Sequence, residues 1–225
     1  MSPKELALMV EGESEEISVP GLVTKLLDRL GGRDVLYVGK VMRVGELHGL
    51  VKGGSEDEFL RFVRRAALLR NLGAVLLLLD GDAKAKHPIH TSAGKKEFCA
   101  KEIGPFLASR AKNETPAGTK FSFAVVFARQ EFESWLLAGC PELADQLQSP
   151  IDDLEKAPRD AKGKIGELTN AAYKETTHQP HYTHQLDIDR ILGRNPKMRS
   201  FHRLENALRQ LTAAVRSGNP VSTPC

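Results

Sequence analysis

The sequence predicts an α/β protein: a mostly parallel four-stranded sheet with helices on both faces, followed by a helical C-terminal extension. Three observations carry this. Apolar runs such as "AVLLLLD" are continuous rather than alternating, which suits strands covered on both faces. Segments with apolar residues at helical spacing separate those runs, in the order β-α-β-α-β-α-β-α over roughly the first 140 residues. From Pro150 onward the texture turns polar and strand-like runs disappear.

The elements follow in order. "LALMVEG" is a short apolar run that stops at Gly12, and reads as the first strand. In "ISVPGLVTKLLDRLGG", Leu22, Val23, Leu26, Leu27 and Leu30 fall at helical spacing before a glycine pair. "DVLYVGKVMRV" reads as the second strand. "EDEFLRFVRRAALLRNLG" puts Phe59, Phe62, Val63, Ala66, Leu69 and Leu72 on one helical face. "AVLLLLDGD" is the third and clearest strand. "AKAKHPIHTSAG" is expected as a polar loop, and "KKEFCAKEIGPFLASRAK" as a helix despite Pro105. "KFSFAVVFAR" is the fourth strand and runs directly into "QEFESWLLAG", a helix start. Residues 1–149 therefore form the core. Residues 150–225 are expected to pack on it through Phe201, Leu204, Leu208, Leu211 and Val215, because they hold too few apolar residues for a core of their own. "NPVSTPC" is expected as a frayed tail.

Composition narrows the class. The 225 residues are 41% apolar and 27% charged, with a net charge of +3, an ordinary globular balance that permits a polyanionic partner without demanding one. Cys99, Cys140 and Cys225 are far apart and odd in number. They offer neither a metal-binding spacing nor a disulfide framework, which points to a reducing cytoplasm. No apolar run approaches the roughly 18 residues of a membrane span, and the N-terminus lacks a signal-peptide core.

Acids gather where strands end. Glu11, Glu13, Glu15 and Glu16 follow strand one, Asp80 and Asp82 follow strand three, and Glu131 and Glu133 follow strand four. Parallel strands bring these ends to one edge, the edge where open α/β sheets bind ligands. Carboxylates crowded there repel one another, and a hard divalent cation with oxygen ligands relieves that repulsion. Asp80 and Asp82 stand at i and i+2 around Gly81, so they point the same way on an extended chain. Each cluster has a plainer reading too. Acids suit the first turn of a helix through its macrodipole. Glu131 and Glu133 lie about 200° apart on a helix, so one of the two is expected to face solvent.

The same residues resemble a known domain. "VEGESEE" and "LLDGD" are similar to the acidic motifs of the TOPRIM domain in the form found in OLD-family nucleases, with Glu11 and Glu15 as the E-x-x-x-E and Asp80 and Asp82 as the D-x-D. The chain resembles more closely a TOPRIM-like domain-of-unknown-function family, DUF4276. The pieces are Glu11 to Glu15, Leu78 to Asp82, Glu131 to Leu137, and then Tyr173, His178, Gln179, Leu186, Asp187, Ser200, Phe201 and Leu204. The resemblance implies a Rossmann-like TOPRIM core, Mg²⁺ or Mn²⁺ held by Glu11, Glu15, Asp80, Asp82 and Glu131 or Glu133, and cleavage of phosphodiester bonds in DNA or RNA. OLD-type proteins carry an ATPase domain, and no G-x-x-x-x-G-K-[ST] occurs here, so a separate ATPase chain in a phage-defence setting is the implied partner. Lys174 and Lys164 are the candidates for the basic residue beside the metals.

Other features read more simply. Lys84, Lys86, His87 and His90 sit in a loop that would either contact phosphate or be solvated. His178, His181 and His184 have a metal-like spacing, but their segment reads as a loop, and polar contacts or a helix cap suit them better. Arg61, Arg64, Arg65 and Arg70 form a solvated or phosphate-tracking face, and Trp135 is expected in the core. The expected function is a cytoplasmic Mg²⁺- or Mn²⁺-dependent nuclease. Nucleic acid is the expected partner, a separate ATPase chain and further copies of the chain are candidates, and no membrane is expected. The rivals are a small-phosphate-ester hydrolase, a non-catalytic subunit of an ATPase complex that binds metal or nucleic acid, and a phosphate-binding doubly wound domain whose acids are surface decoration.

Overall fold

The structure is a computed structural model that describes residues 2–51, 57–81, 89–91, 94–96, 100–129, 131–147, 153–156, 160–194 and 197–224. Strand β1 (Lys4–Val10) leads into helix α1 (Glu13–Arg29), and strand β2 (Leu36–Arg43) follows. Helices α2 (Leu47–Val51) and α3 (Glu58–Ala66) precede β3 (Leu72–Asp80). A small antiparallel hairpin, β4 (Ile89–Thr91) and β5 (Gly94–Lys96), precedes α4 (Ala100–Glu114) and β6 (Ser122–Ala128). Then come α5 (Glu133–Gly139), α6 (Pro141–Ala144), α7 (Ala161–Thr169), α8 (Glu175–His184), α9 (Ile188–Leu192), α10 (Arg199–Ser217) and β7 (Ser222–Pro224).

The main sheet is parallel throughout, in the order β2-β1-β3-β6-β7. Side chains on a strand alternate between faces, and the core divides accordingly. Leu6, Leu8 and Val10 of β1, with Leu76 and Leu78 of β3 and Val126 of β6, pack against α1, α5 and α10. Ala7 and Met9, with Val75, Leu77, Leu79, Phe123 and Val125, pack against α3 and α4. Both faces are covered, which is why β3 and β6 read as unbroken apolar runs.

Four expectations change. The sheet has five strands, not four, because residues expected as a frayed tail form β7 at its edge. Phe123 N–H donates to Val221 O (2.7 Å), and the Ser222 hydroxyl donates to Ala108 O (2.7 Å), so α4 and β6 hold that segment in place. The second change is at Lys95 and Lys96, which belong to hairpin β4–β5 rather than to a helix. Third, the histidine segment is helix α8, with Gln179, Tyr182 and Thr183 buried; its partner helix is α1. Finally, α3 ends at Ala66, so Arg70 lies beyond it, while Arg61, Arg64, Arg65 and Arg70 are all exposed.

The C-terminal helices pack on the core. Helix α10 lies on β6 and β3, and α5 contacts α6, α7, α8 and α9. Trp135 of α5 is fully buried between Phe132 and Phe201, and its indole N–H donates to the Ser200 hydroxyl (2.8 Å). Glu155, also buried, accepts from Ser200 N–H and so caps the first turn of α10 from a distant segment. Among the described residues no helix is long and apolar enough to cross a membrane.

Candidate functional site

The register sets the site. Val10 pairs with Leu78 and Asp80 with Ala128, so the carboxyl ends of β1, β3 and β6 lie side by side. Glu11, one residue beyond β1, accepts a hydrogen bond through Oε2 from the backbone N–H of Asp80 (3.2 Å), 69 residues away. Asp80 ends β3 with the parity of Leu76 and Leu78, toward the α1 and α5 side. Its Oδ1 accepts from Phe132 N–H (3.0 Å), and Gly81 N–H donates to Ala128 O (2.6 Å), which ties β3 to the start of α5.

Glu15 stands in the first turn of α1. Its Oε2 accepts from Gly12 N–H (3.0 Å), the reciprocal half of a capping box. A Cβ added at Gly12 would lie 2.7 Å from that same oxygen, so a larger residue there would push the end of Glu15 aside. Oε1 of Glu15 accepts from the Gln179 side-chain amide (2.9 Å) on α8.

The two acids after β6 separate. Helix α5 begins at Glu133, so Glu131 lies outside it, in the preceding turn. Oε2 of Glu131 accepts from the N–H groups of Ala161 (3.1 Å) and Lys162 (3.4 Å), at the amino end of α7, where the free donors and the dipole favour an anion. Neither acid is the solvated one expected: Glu131 is half-buried, and Glu133 is fully buried. Oε1 of Glu133 accepts from the Tyr173 hydroxyl (3.0 Å), and its Oε2 is buried with no hydrogen-bond partner.

The electrostatics show which groups act on one another. Burial pushes the Asp80 carboxyl well above its ordinary value, and the charges of Glu133, Glu11 and Glu15 push it further, against Lys162. Burial likewise raises Glu133 to about 7; Lys162, its own backbone N–H and Tyr173 oppose the rise, and Glu131 adds to it. Burial alone would pull the Lys162 ammonium down, but Glu133, Glu175 and Asp80 outweigh it and hold that charge firmly. Lys162 also pairs with Glu175 Oε1 (2.9 Å). Burial, and then Glu133, drive the Tyr173 phenol far above the usual tyrosine range.

Four of the expected acids thus meet electrostatically: Glu11, Glu15, Asp80 and Glu133. Glu131 lies close to them but serves α7. Glu13 is exposed and pairs with Arg43 (3.6 Å). Asp82, together with Lys84, Lys86 and His87, lies outside the described residues, as does the side chain of His90. Lys174 is exposed, and its backbone N–H donates to His178 Nδ1 (2.9 Å) at the start of α8, while Lys164 pairs with Glu167 (2.8 Å). Among the described residues, the ammonium facing the acids is that of Lys162, which composition and spacing did not single out. "KGK" before an apolar turn carries no mark of it, and only the placement of α7 beside α5 reveals the role.

The donors fit a hard divalent cation in their chemistry, since all are carboxylate oxygens and one, Glu133 Oε2, is buried and unbonded. Among the described residues, however, no three His, Cys, Asp or Glu side chains already stand as a ligand set. Glu11, Glu15 and Asp80 each accept from protein donors with lone pairs to spare, and Glu133 keeps one oxygen unbonded.

Comparison with known proteins gives three results. No curated protein matches the chain. Among solved structures, the C-terminal region of the OLD protein of Xanthomonas campestris pv. campestris is similar at 18% identity, covering 95% of this chain and 94% of that one, with a TM-score of 0.31, a likeness too loose to bear on function. A family described only as a domain of unknown function matches residues 10–209, nearly the whole chain. The chain belongs to the DUF4276 family.

Proposed function

We propose that this protein is a Mg²⁺- or Mn²⁺-dependent phosphodiester hydrolase acting on DNA or RNA. The observation that supports it is the crowding of Glu11, Glu15, Asp80 and Glu133 at the carboxyl edge of the sheet, so close that Asp80 feels all three of the others. Buried like charges are costly unless something neutralises them. Lys162 answers only part of that charge.

Glu11, Asp80, Glu15 and Glu133 would hold the ion, with Asp82 as a further ligand. When bound, a divalent cation supplies the positive charge that a phosphoryl group needs as it is displaced. The chain's own groups do the rest. Lys162 places a fixed cation against Glu133 and Asp80 and offsets charge that builds on phosphate oxygens. Tyr173 holds Glu133 by one oxygen and leaves the other free to turn. Without an ion, burial holds the Glu133 proton up to about 7, and a bound cation would favour the ionised carboxylate. Phe132, whose N–H holds Asp80, is buried and packs against the buried Trp135. The family resemblance carries two finer parts of this reading, a separate ATPase chain as partner and a role in phage defence.

The test is direct. Purified protein is mixed with plasmid, single-stranded DNA and tRNA in the presence of Mg²⁺ or Mn²⁺. Cleavage is expected from the wild type, and Asp80→Asn is expected to lower its rate at least about a hundredfold. Cleavage that persists unchanged in Asp80→Asn refutes the site. Hydrolysis of small phosphate esters alone moves the substrate away from nucleic acid, and ion binding without turnover makes the chain a non-catalytic subunit.

A further inference from the structure

We propose that Gln179 is a positioning residue for this site: its side-chain amide locks Glu15 into the orientation in which that carboxylate serves a divalent cation. The inference rests on the cation reading above. It starts from an oddity of α8, whose sequence "ETTHQPHYTH" is polar throughout and yet turns three side chains fully inward. One of them, Gln179, is 0% exposed. Burying an amide costs a few kcal/mol unless its hydrogen bonds are replaced, and packing alone would be served as well by leucine.

The replacement bonds are specific. Gln179 Nε2 donates to Glu15 Oε1 (2.9 Å), and Gln179 Oε1 accepts from the buried Ser18 hydroxyl (3.1 Å). Glu15 and Ser18 are three residues apart, so they share one face of α1, and a single amide from α8 spans both. The acceptor-only carboxylate decides which way that amide points, and the Ser18 hydroxyl, donor or acceptor, adapts to it. With its oxygen on the hydroxyl, its NH₂ faces the carboxylate, whereas the flipped amide would set oxygen against oxygen. Gly12 N–H holds the other oxygen of Glu15 (3.0 Å). Each Glu15 oxygen therefore has one bond to the protein and keeps a further lone pair. The side chain is fixed while its charge still acts on Asp80 across the sheet edge. Ligating carboxylates are commonly oriented in this way by outer hydrogen bonds, and loss of such a bond weakens metal binding about 10- to 100-fold.

The test uses Mn²⁺ alone as the probe, titrated calorimetrically into chelator-treated, dialysed full-length protein, with thermal unfolding measured in EDTA alongside. Gln179→Leu keeps the volume and removes both bonds. It is expected to raise the Mn²⁺ Kd about tenfold or more while Tm in EDTA moves by a few degrees at most. Ser18→Ala leaves Gln179 in place but removes one of the two bonds that hold its amide, and is expected to raise the Kd by a smaller factor. A wild-type Kd retained in Gln179→Leu overturns the proposal and leaves the cation reading standing. If Gln179→Leu fails to fold, an unchanged Kd in Ser18→Ala overturns it. A wild type that does not bind Mn²⁺ overturns both.

Discussion

Replacing Glu133 by Gln should make the metal-free protein more stable at neutral pH. The Glu133 carboxyl is fully buried, and burial raises it from an ordinary value of 4.5 to about 7. The folded state therefore holds this proton to higher pH than the unfolded chain does. Below about 4.5 both states are protonated and the group is neutral to stability. As pH rises through the window from 4.5 to 7 the unfolded chain releases its proton first, and folding stability falls. Above 7 both are ionised, and the folded state carries the whole cost of the buried charge. At about 1.4 kcal/mol per tenfold change in proton affinity, that cost is roughly 3 kcal/mol. Gln keeps the shape and still accepts from Tyr173, but it has no proton to lose. Removing the charge also relieves Asp80, which feels Glu133 more than any other neighbour, and this adds in the same direction. The assay is urea unfolding of both proteins in EDTA at half-unit steps from pH 4.5 to 8. The stability difference in favour of Glu133→Gln is expected to widen by about 2–3 kcal/mol across that range. Parallel curves would refute the reasoning, whatever their offset.

Three further outcomes follow from other contacts. Ser200→Ala leaves the buried Trp135 indole N–H without a partner and is expected to cost about 1–3 kcal/mol in urea unfolding; a loss under 0.5 kcal/mol would mean the indole finds another acceptor. Gly12→Ala puts a methyl group against Glu15 Oε2 and is expected to weaken Mn²⁺ binding about tenfold, read by calorimetry. Ending the chain at Gly218 removes β7 and bares the edge of β6. The truncated protein is expected to lose stability and to self-associate in analytical ultracentrifugation, as open strand edges do.

The sheet was largely legible because its signal is continuous: residues 74–79 are all buried, as a parallel strand covered on both faces requires. β7 was hidden because three residues after a Pro carry no periodicity, and only the free edge of β6 recruits them. The helix α8 was hidden for a similar reason. Its stability comes from contacts with α1 rather than from an apolar stripe. At the site, Glu11, Glu15 and Asp80 could be read from their place at strand ends. Which of Glu131 and Glu133 faces the acids could not, since it depends on α5 starting two residues late and α7 presenting its amino end to Glu131. Lys162 was invisible in sequence because its partners, Glu133 and Asp80, lie 29 and 82 residues away in the chain. Tyr173 and Gln179 stood in the resemblance as pattern positions, and the hydrogen bonds to Glu133 and Glu15 give them roles.

The most direct measurement is the anomalous diffraction of Mn²⁺ in crystals soaked with the ion. The expected result is a peak within about 2.5 Å of carboxylate oxygens of both Asp80 and Glu11, absent from crystals of Asp80→Asn. Mn²⁺ bound only elsewhere on the protein, or no site at millimolar ion, would contradict a shared cation at the carboxyl edge of the sheet.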